Sequence, residues 1–327
     1  MKAWRVPDLG EARDVLRFEE IPDPTPGDGE VLVRVLAAPA NFPDVLLCRG
    51  EYQIKPPLPF TPGVELCGEV VSVGAGVTRA AIGDRVVGTP ILPGGAFAEY
   101  AVMNEANVFP APAALDDAEA AALTIGYQTA WFALHRRTSI AAGDYLLVHA
   151  AAGGVGSAAV QLGKAAGATV IGVVGGPEKA RYATELGADV VVDRRTDDFV
   201  ATVKDVTGGH GADIVFDPVG GDAYAGSTKC IAFEGRIVVI GFAGGTIPQP
   251  ALNHALIKNY SIVGLHWGLY QSKNRAVIDE CHAELTRMAD AGSLKPLIGE
   301  RLAFSDVAEG LGRLGDGSTV GRLVFTP

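Results

Sequence analysis

The residues with the clearest chemical purpose run Leu146-Leu147-Val148-His149-Ala150-Ala151-Ala152-Gly153-Gly154-Val155-Gly156-Ser157. An apolar strand enters a turn of small residues and leaves it as a helix. Without Cβ atoms, backbone N–H groups approach a diphosphate closely, and a helix N-terminus stabilises its negative charge. Ala152, Gly153, Gly154, Val155 and Gly156 are therefore expected to hold the diphosphate of a dinucleotide. The usual G-x-G-x-x-G is here Ala151-x-Gly153-x-x-Gly156, so its first glycine is missing. The position between the first strand and first helix of a βαβ unit carries the assignment, against the plain alternative of a tight strand-helix turn.

Which dinucleotide binds is set at the end of the following strand, where a carboxylate would bond the 2′-hydroxyl of NAD. The chain reads Ile171-Gly172-Val173-Val174-Gly175-Gly176-Pro177-Glu178-Lys179, with no acidic group at Val174. Gly175 leaves room for a 2′-phosphate, and Lys179 and Arg194 are placed to pair with it, so NADPH is the expected cofactor. The bland reading makes both cations ordinary surface residues. Farther on, Val239-Ile240-Gly241-Phe242-Ala243-Gly244-Gly245 ends another strand on the same carboxyl edge. Gly241, Phe242 and Ala243 are expected to contact the nicotinamide end, a simple loop being the alternative.

Other chemistry-bearing residues offer less. Cys48, Cys67, Cys230 and Cys281 stand far apart and read as reduced structural thiols rather than disulfides or zinc ligands. No two of the six histidines sit three or four residues apart, so none forms a helical metal pair. His149, closing the first strand before the glycine turn, reads as a satisfied core histidine. His266 and Trp267 follow the last parallel strand, where they would shape a pocket or a dimer contact.

The elements that must position these residues fall into two patterns. Residues 1 to about 110 are short strands, Glu30 to Val35, Gly68 to Val73, Asp84 to Val87 and Phe97 to Tyr100, and ten of the 20 prolines precede residue 65. Proline cannot donate to a ladder, so an antiparallel, barrel-like β domain with long connections is expected. From about residue 118, apolar strands alternate with helices: Tyr145 to Ala150, Thr169 to Val173, Val190 to Val192, Asp213 to Phe216, Arg236 to Ile240 and Ser261 to Gly264. Such alternation predicts a doubly wound parallel α/β sheet covered on both faces. A helix from Arg275 to Ala291 stopped by Gly292, a strand at Arg301 to Phe304, a Ser305-capped helix and a strand at Gly321 to Phe325 complete the chain and rejoin the first domain.

The 327 residues, 48% hydrophobic and 20% charged, suit two ordered globular domains. A formal net charge of -11 disfavours nucleic acid and anionic membranes as partners. No leader pattern follows Met1 and nowhere do about 18 apolar residues run uninterrupted, so a cytoplasmic protein is expected.

Several spaced motifs then come together. Asn41-Phe42-Pro43-Asp44, Pro59-Phe60-Thr61-Pro62-Gly63-Val64-Glu65, Gly83-Asp84-Arg85-Val86 and Ala150-Ala151-Ala152-Gly153-Gly154-Val155-Gly156 resemble the quinone oxidoreductase branch of the medium-chain dehydrogenase/reductase superfamily across nearly the whole chain. The resemblance implies a GroES-like catalytic domain, residues 1–123 and 268–327, and an NADPH-binding Rossmann domain, residues 124–267, with the nicotinamide between them. Where zinc alcohol dehydrogenases of the same superfamily hold their catalytic metal with Cys, His and Cys, this chain aligns Asn41, Val64 and about Ile125, and their structural zinc lobe is missing, so no metal is expected. Without a Lewis acid, the implied chemistry is hydride addition to a small, electron-poor acceptor such as a quinone, an enone or an enoyl thioester. An enoyl or acryloyl thioester reductase is the neighbouring alternative, and a non-catalytic NADPH-binding structural protein the alternative of a different class. The residues carried over are Asn41, Asp44 and Tyr52 for catalysis and Thr129 for the cofactor. Asn41 would orient a ribose or substrate carbonyl or serve as a turn residue, Asp44 would pair with Asn41 or cap its helix, and Tyr52 would donate to a developing enolate or simply pack. The resemblance also implies a homodimer through edge strands, with Ser261 to Gly264 the candidate edge.

Overall fold

The computed structural model describes all residues from Met1 to Pro327. They divide into two compact units, Met1–Ile125 with His282–Pro327, and Gly126–Cys281. The sequence boundary near residue 267 follows the end of the strand pattern, whereas the second unit runs on into the helix Arg275–Asp290.

The first unit is built on a seven-stranded mixed sheet whose centre is Glu30–Pro39. Its alternation turns Val31, Val33, Val35 and Ala37 inward, and the strand pairs antiparallel with Leu66–Val73, Tyr100–Asn104 and Arg322–Thr326. Arg85–Gly88 and Val108–Pro110 extend one side, and Ile298–Ala303 lies parallel to Arg322–Thr326 on the other. A separate pair, Lys2–Arg5 with Arg17–Glu20, is antiparallel. Phe60, Leu66, Phe97, Met103 and Phe325 fill the core, Phe97 meeting Phe325 edge-on at 5.4 Å.

Three local expectations are corrected in this unit. Phe97 and Ala98 do not begin the strand at Tyr100–Asn104, because Trp4 N–H takes the Phe97 carbonyl and Ala3 bridges Ala98, diverting that stretch to another partner. Ser305 does not cap the helix Val307–Gly315, since a short 3-10 turn, Phe304–Asp306, precedes it and Ser305 Oγ bonds Asp306 Oδ1 instead. The β domain is also not wholly antiparallel, because the returning tail adds its two strands side by side in one direction.

The second unit holds a six-stranded sheet, parallel throughout, in the spatial order Val190–Asp193, Thr169–Val174, Tyr145–His149, Ala212–Asp217, Ile231–Val239, Ser261–Gly264. That order places the first strand in the middle and reverses direction beside it, the arrangement in which strand carboxyl ends open a crevice for a nucleotide. Leu146, Leu147, Val170, Ile171, Ile214, Val215 and Ile237 are all buried, as helices on both faces demand. The strand Ile231–Val239 starts five residues before the expected Arg236, its early residues running past Gly235 with a shift in register against Ala212–Asp217.

Candidate functional site

In the second unit the turn after His149 is shaped by close backbone approach. Gly153 caps the helix Gly154–Ala165 with no side-chain hydrogen bond, leaving its first-turn N–H groups directed past the cap. A Cβ on Gly156 would stand 2.1 Å from the Ala150 carbonyl oxygen, so that position admits only glycine. The missing first glycine has its explanation across the sheet. Ala151 is buried, and a Cβ on Gly172 of the neighbouring strand would lie 2.9 Å from the Ala151 methyl. The space is thus divided differently, with the methyl on the turn and the glycine on the strand.

At the end of the strand Thr169–Val174, Gly175 and Gly176 lie under two guanidinium groups. A Cβ on Gly175 would meet Arg194 Nε at 3.3 Å, and one on Gly176 would meet Arg195 Nη1 at 2.8 Å. Asp193 Oδ1 accepts hydrogen bonds from Gly176 N at 2.9 Å and Arg195 N at 3.1 Å, fixing the turn that carries both arginines. The Lys179 ammonium is held below its ordinary pKa, first by partial burial and then by Arg194 and Arg195, which places all three cations in one field. Gly175, Lys179 and Arg194, singled out in the sequence, are brought together here. Arg195 was missed, although the adjacent Arg194-Arg195 pair was its signal.

The third segment of the sheet edge is braced from below. Asp217, buried at the end of its strand, accepts from Val219 N and Gly220 N, both at 2.9 Å, and Ala243 N and Gly244 N donate to the carbonyls of Pro218 and Val219. The Ala243 N–H is therefore committed to the protein, which narrows the expected contacts of this loop to Gly241 and the half-exposed Phe242. His149 has the core role expected of it. Ser227 Oγ donates to the Ala223 carbonyl at 2.7 Å, so the 2.8 Å contact with His149 Nε2 makes the imidazole the donor, and burial holds its pKa down to about 4. Trp267 donates from Nε1 to Gln128 Oε1 at 3.1 Å and is buried, and neighbouring Thr129 lies buried on the helix Thr124–Trp131.

In the first unit the expected catalytic residues are enclosed. Asn41, 4% exposed, precedes the helix Phe42–Arg49, and Asp44 at its third position accepts Asn41 N–H at Oδ2, 2.9 Å away. Asp44 Oδ1 accepts Gly63 N–H at 2.9 Å, and burial pushes its pKa up to about 7 against the opposing pull of these two donors. Asn41 Nδ2 donates to Glu65 Oε1 at 2.9 Å and to the Pro39 carbonyl at 3.3 Å, while its Oδ1 accepts Arg322 Nη2 at 2.9 Å. Arg322 also pairs with Glu65 Oε1, and Glu65 Oε2 accepts Ile125 N–H at 2.7 Å. Both ends of the Asn41 amide have partners within the protein, Nδ2 donating to Glu65 and Pro39 and Oδ1 accepting from Arg322, which fixes its orientation. Asp44 both pairs with Asn41 and caps the helix, the two arrangements its position suggested. Glu65 and Arg322 were missed as a pair because 257 residues separate them. Tyr52 is half-buried against the core, and burial with Asp44 nearby raises its phenol pKa.

No three His, Cys, Asp or Glu side chains converge anywhere as metal ligands, and the aligned positions Asn41, Val64 and Ile125 present an amide and two apolar side chains. No helix is long and apolar enough to cross a membrane.

Residues 27–113 match the family described as alcohol dehydrogenase GroES-like domain, and residues 154–283 the family described as zinc-binding dehydrogenase. A quinone oxidoreductase-like protein 2 homolog of Nematostella vectensis is 38% identical over 301 residues, covering 91% of this chain and 82% of that relative. Among solved structures, a quinone oxidoreductase of Pseudomonas syringae pv. Tomato DC3000 is 34% identical with a TM-score of 0.92, covering 100% of this chain and 99% of that one. The mycobacterial protein Rv1454c complexed with NADPH is 30% identical with a TM-score of 0.93, each chain covered at 100%.

Proposed function

Given that this chain belongs to the quinone oxidoreductase branch of the medium-chain dehydrogenase/reductase superfamily, we propose that it is an NADPH-dependent oxidoreductase that delivers hydride, without zinc, to a quinone or another activated alkene. The observation that carries this reading is the convergence of Lys179, Arg194 and Arg195 around the Gly175-Gly176 pair, where the strand ends at Val174 without a carboxylate and the nearby Asp193 is engaged by the Gly176 and Arg195 amides. Such a field suits the dianionic 2′-phosphate, and the end of the strand at Val174 lacks the acidic side chain that would bond a 2′-hydroxyl there. A solved relative complexed with NADPH supports the same choice.

When bound, the cofactor supplies a hydride equivalent from its reduced nicotinamide. The N–H groups of Gly154, Val155 and Gly156 bind the diphosphate, where Gly153 leaves the helix start uncapped. Gly241 and Phe242, with Thr129, contact the nicotinamide end. Tyr52, a phenol protonated at neutral pH, donates a hydrogen bond to the oxyanion that develops on the acceptor. Asn41 and Asp44 fix the backbone from which that acceptor site is built. Asn41, Val64 and Ile125 provide neither thiolate nor imidazole, although one matching family carries zinc in its description. An acceptor already electron-poor is therefore the fitting substrate, since no Lewis acid stabilises an alkoxide.

A second copy of the chain completes the proposal. Ser261–Gly264 ends the parallel sheet with one side unpaired, and Leu252, Leu256 and Ile257 on the preceding helix are each more than 70% exposed. Edges of this kind are covered in stable proteins, and clustered apolar side chains favour a partner. Light scattering is expected to show two chains per particle, and Leu256→Lys to shift the population toward one.

Steady-state oxidation of NADPH with quinones, enones and acyl-CoA esters tests the activity. Turnover of quinones or simple enones is expected. Strong preference for the CoA-bearing alkene would replace the reading with a thioester reductase, and thermal stabilisation by NADPH without turnover of any acceptor would leave a binding protein. Stoichiometric zinc in the purified protein would overturn the metal-free mechanism.

A further inference from the structure

The first unit contains an ion pair that its stability alone does not explain. Glu65 and Arg322 are 0% and 6% exposed at their side chains. Removing two charges from water is costly, and buried pairs are often replaced by apolar residues with no loss of stability. This pair is nevertheless elaborately used. Glu65 Oε1 accepts from Asn41 Nδ2 and Arg322, Glu65 Oε2 accepts from Ile125 N, and Arg322 Nη2 reaches Asn41 Oδ1 as well. Arg322 Nε is left without a partner, so the guanidinium is not arranged for greatest satisfaction.

The groups held by the pair are informative. Ile125 N–H belongs to the first turn of the helix Thr124–Trp131 and has no acceptor within that helix. The Glu65 carboxylate, just before the strand Leu66–Val73, caps that N-terminus, where negative charge is favoured. At the other end it fixes the orientation of the Asn41 amide, the residue that caps Phe42–Arg49. Two of the three positions lacking metal ligands, Asn41 and Ile125, are thus tied together by one carboxylate next to the third, Val64.

We infer that Glu65 and Arg322 are positioning residues, a buried ionic clamp that joins Asn41 to the start of the helix bearing Thr129 and does by hydrogen bonding the cross-linking that a metal ion would do. The inference rests on the proposed hydride-transfer reading for its consequence on rate, but not for the clamp itself. Arg322 sets the carboxylate, the carboxylate sets the Ile125 amide and the Asn41 side chain, and Asp44 holds the Asn41 backbone independently.

Three variants test it: Glu65→Asp, which keeps the charge but shortens the reach by one methylene, Arg322→Met, and the charge-free double Glu65→Gln/Arg322→Met. The readouts are the thermal midpoint, amide hydrogen exchange over residues 39–44 and 122–128, NADPH affinity by calorimetry, and kcat. Glu65→Asp is expected to remain folded with NADPH affinity within about twofold, while kcat falls about tenfold and both segments exchange about tenfold faster. Arg322→Met leaves a carboxylate buried alone and lowers the midpoint most, and the double variant recovers the midpoint without recovering kcat or protection. Wild-type protection and kcat in Glu65→Asp would overturn the inference, as would a double variant restored in both. Exchange needs no acceptor, so a wild-type protein without turnover would sink the hydride-transfer reading while the clamp is still decided.

Discussion

The two compact units handle polar chemistry in opposite ways. In Gly126–Cys281 the proposed cofactor surface is shaped by backbone: Gly156 lets the turn close on the Ala150 carbonyl, Gly175 and Gly176 lie under Arg194 and Arg195, and Lys179 shares their field. In the unit formed by Met1–Ile125 and His282–Pro327 the polar groups are side chains drawn inside, with Asn41, Asp44, Glu65 and Arg322 all under 6% exposed. A parallel sheet places every strand end on one edge, so backbone alone makes an anion site there. A mixed sheet has no such common edge. Its loops must be held by specific long-range bonds, and those bonds use Asn41, Asp44, Glu65 and Arg322.

This contrast is most directly broken at Gly156. Gly156→Ala puts a Cβ 2.1 Å from a backbone oxygen, which no side-chain rotation relieves. Calorimetry is expected to show NADPH affinity down at least ~1000-fold, about 4 kcal/mol. Gly241→Ala makes only a 3.5 Å contact with the Pro218 carbonyl and should bind within about threefold of wild type. Equal effects at the two glycines would mean that close approach is not what the turn provides.

The rim cations come next. Replacing Arg194 and Arg195 together by alanine should weaken NADPH about 100-fold, close to 3 kcal/mol, and leave NADH nearly unchanged, with the difference shrinking as salt is raised. An equal loss for both cofactors would place the arginines elsewhere than at the 2′-phosphate.

A smaller pair of effects separates the units by pH. Burial holds His149, in the parallel-sheet unit, neutral with a pKa lowered from 6.5 to about 4, so it contributes stability above pH 6.5 that is lost as pH falls toward 4. Asp44, in the mixed-sheet unit, is raised from 3.8 to about 7, so its contribution is full below pH 3.8 and is lost as pH rises through 7. Acidification from pH 6.5 to 5 should therefore weaken the first unfolding free energy and strengthen the second, each by about 2 kcal/mol. Denaturant unfolding of His149→Gln and Asp44→Asn across pH 4 to 8 checks this, because each variant should flatten only its own slope. Unchanged slopes would place the titration in other groups.

How much was legible follows the same division. The glycine turn, Gly175, Lys179 and Arg194 lie within about fifty residues, and the apolar runs of the parallel strands and the glycine spacing are local signals. The shift of the missing glycine from position 151 to Gly172 was hidden, because it depends on which strands are neighbours. Ser305 failed as a helix cap for a related reason. Its type fits the role, but the chain enters that helix through a 3-10 turn and the hydroxyl turns to Asp306.

By itself the sequence determined the doubly wound sheet, the β-rich partner unit, the glycine turn before the helix and the lack of metal-ligating residue types at positions 41, 64 and 125, since periodicity and residue chemistry are written along the chain. Only the tertiary structure decided that Asn41 and Asp44 face inward and that Glu65 meets Arg322. Hydrogen-bond partners hundreds of residues apart leave no spacing to read, and a polar side chain's role is fixed by whether water or protein satisfies it.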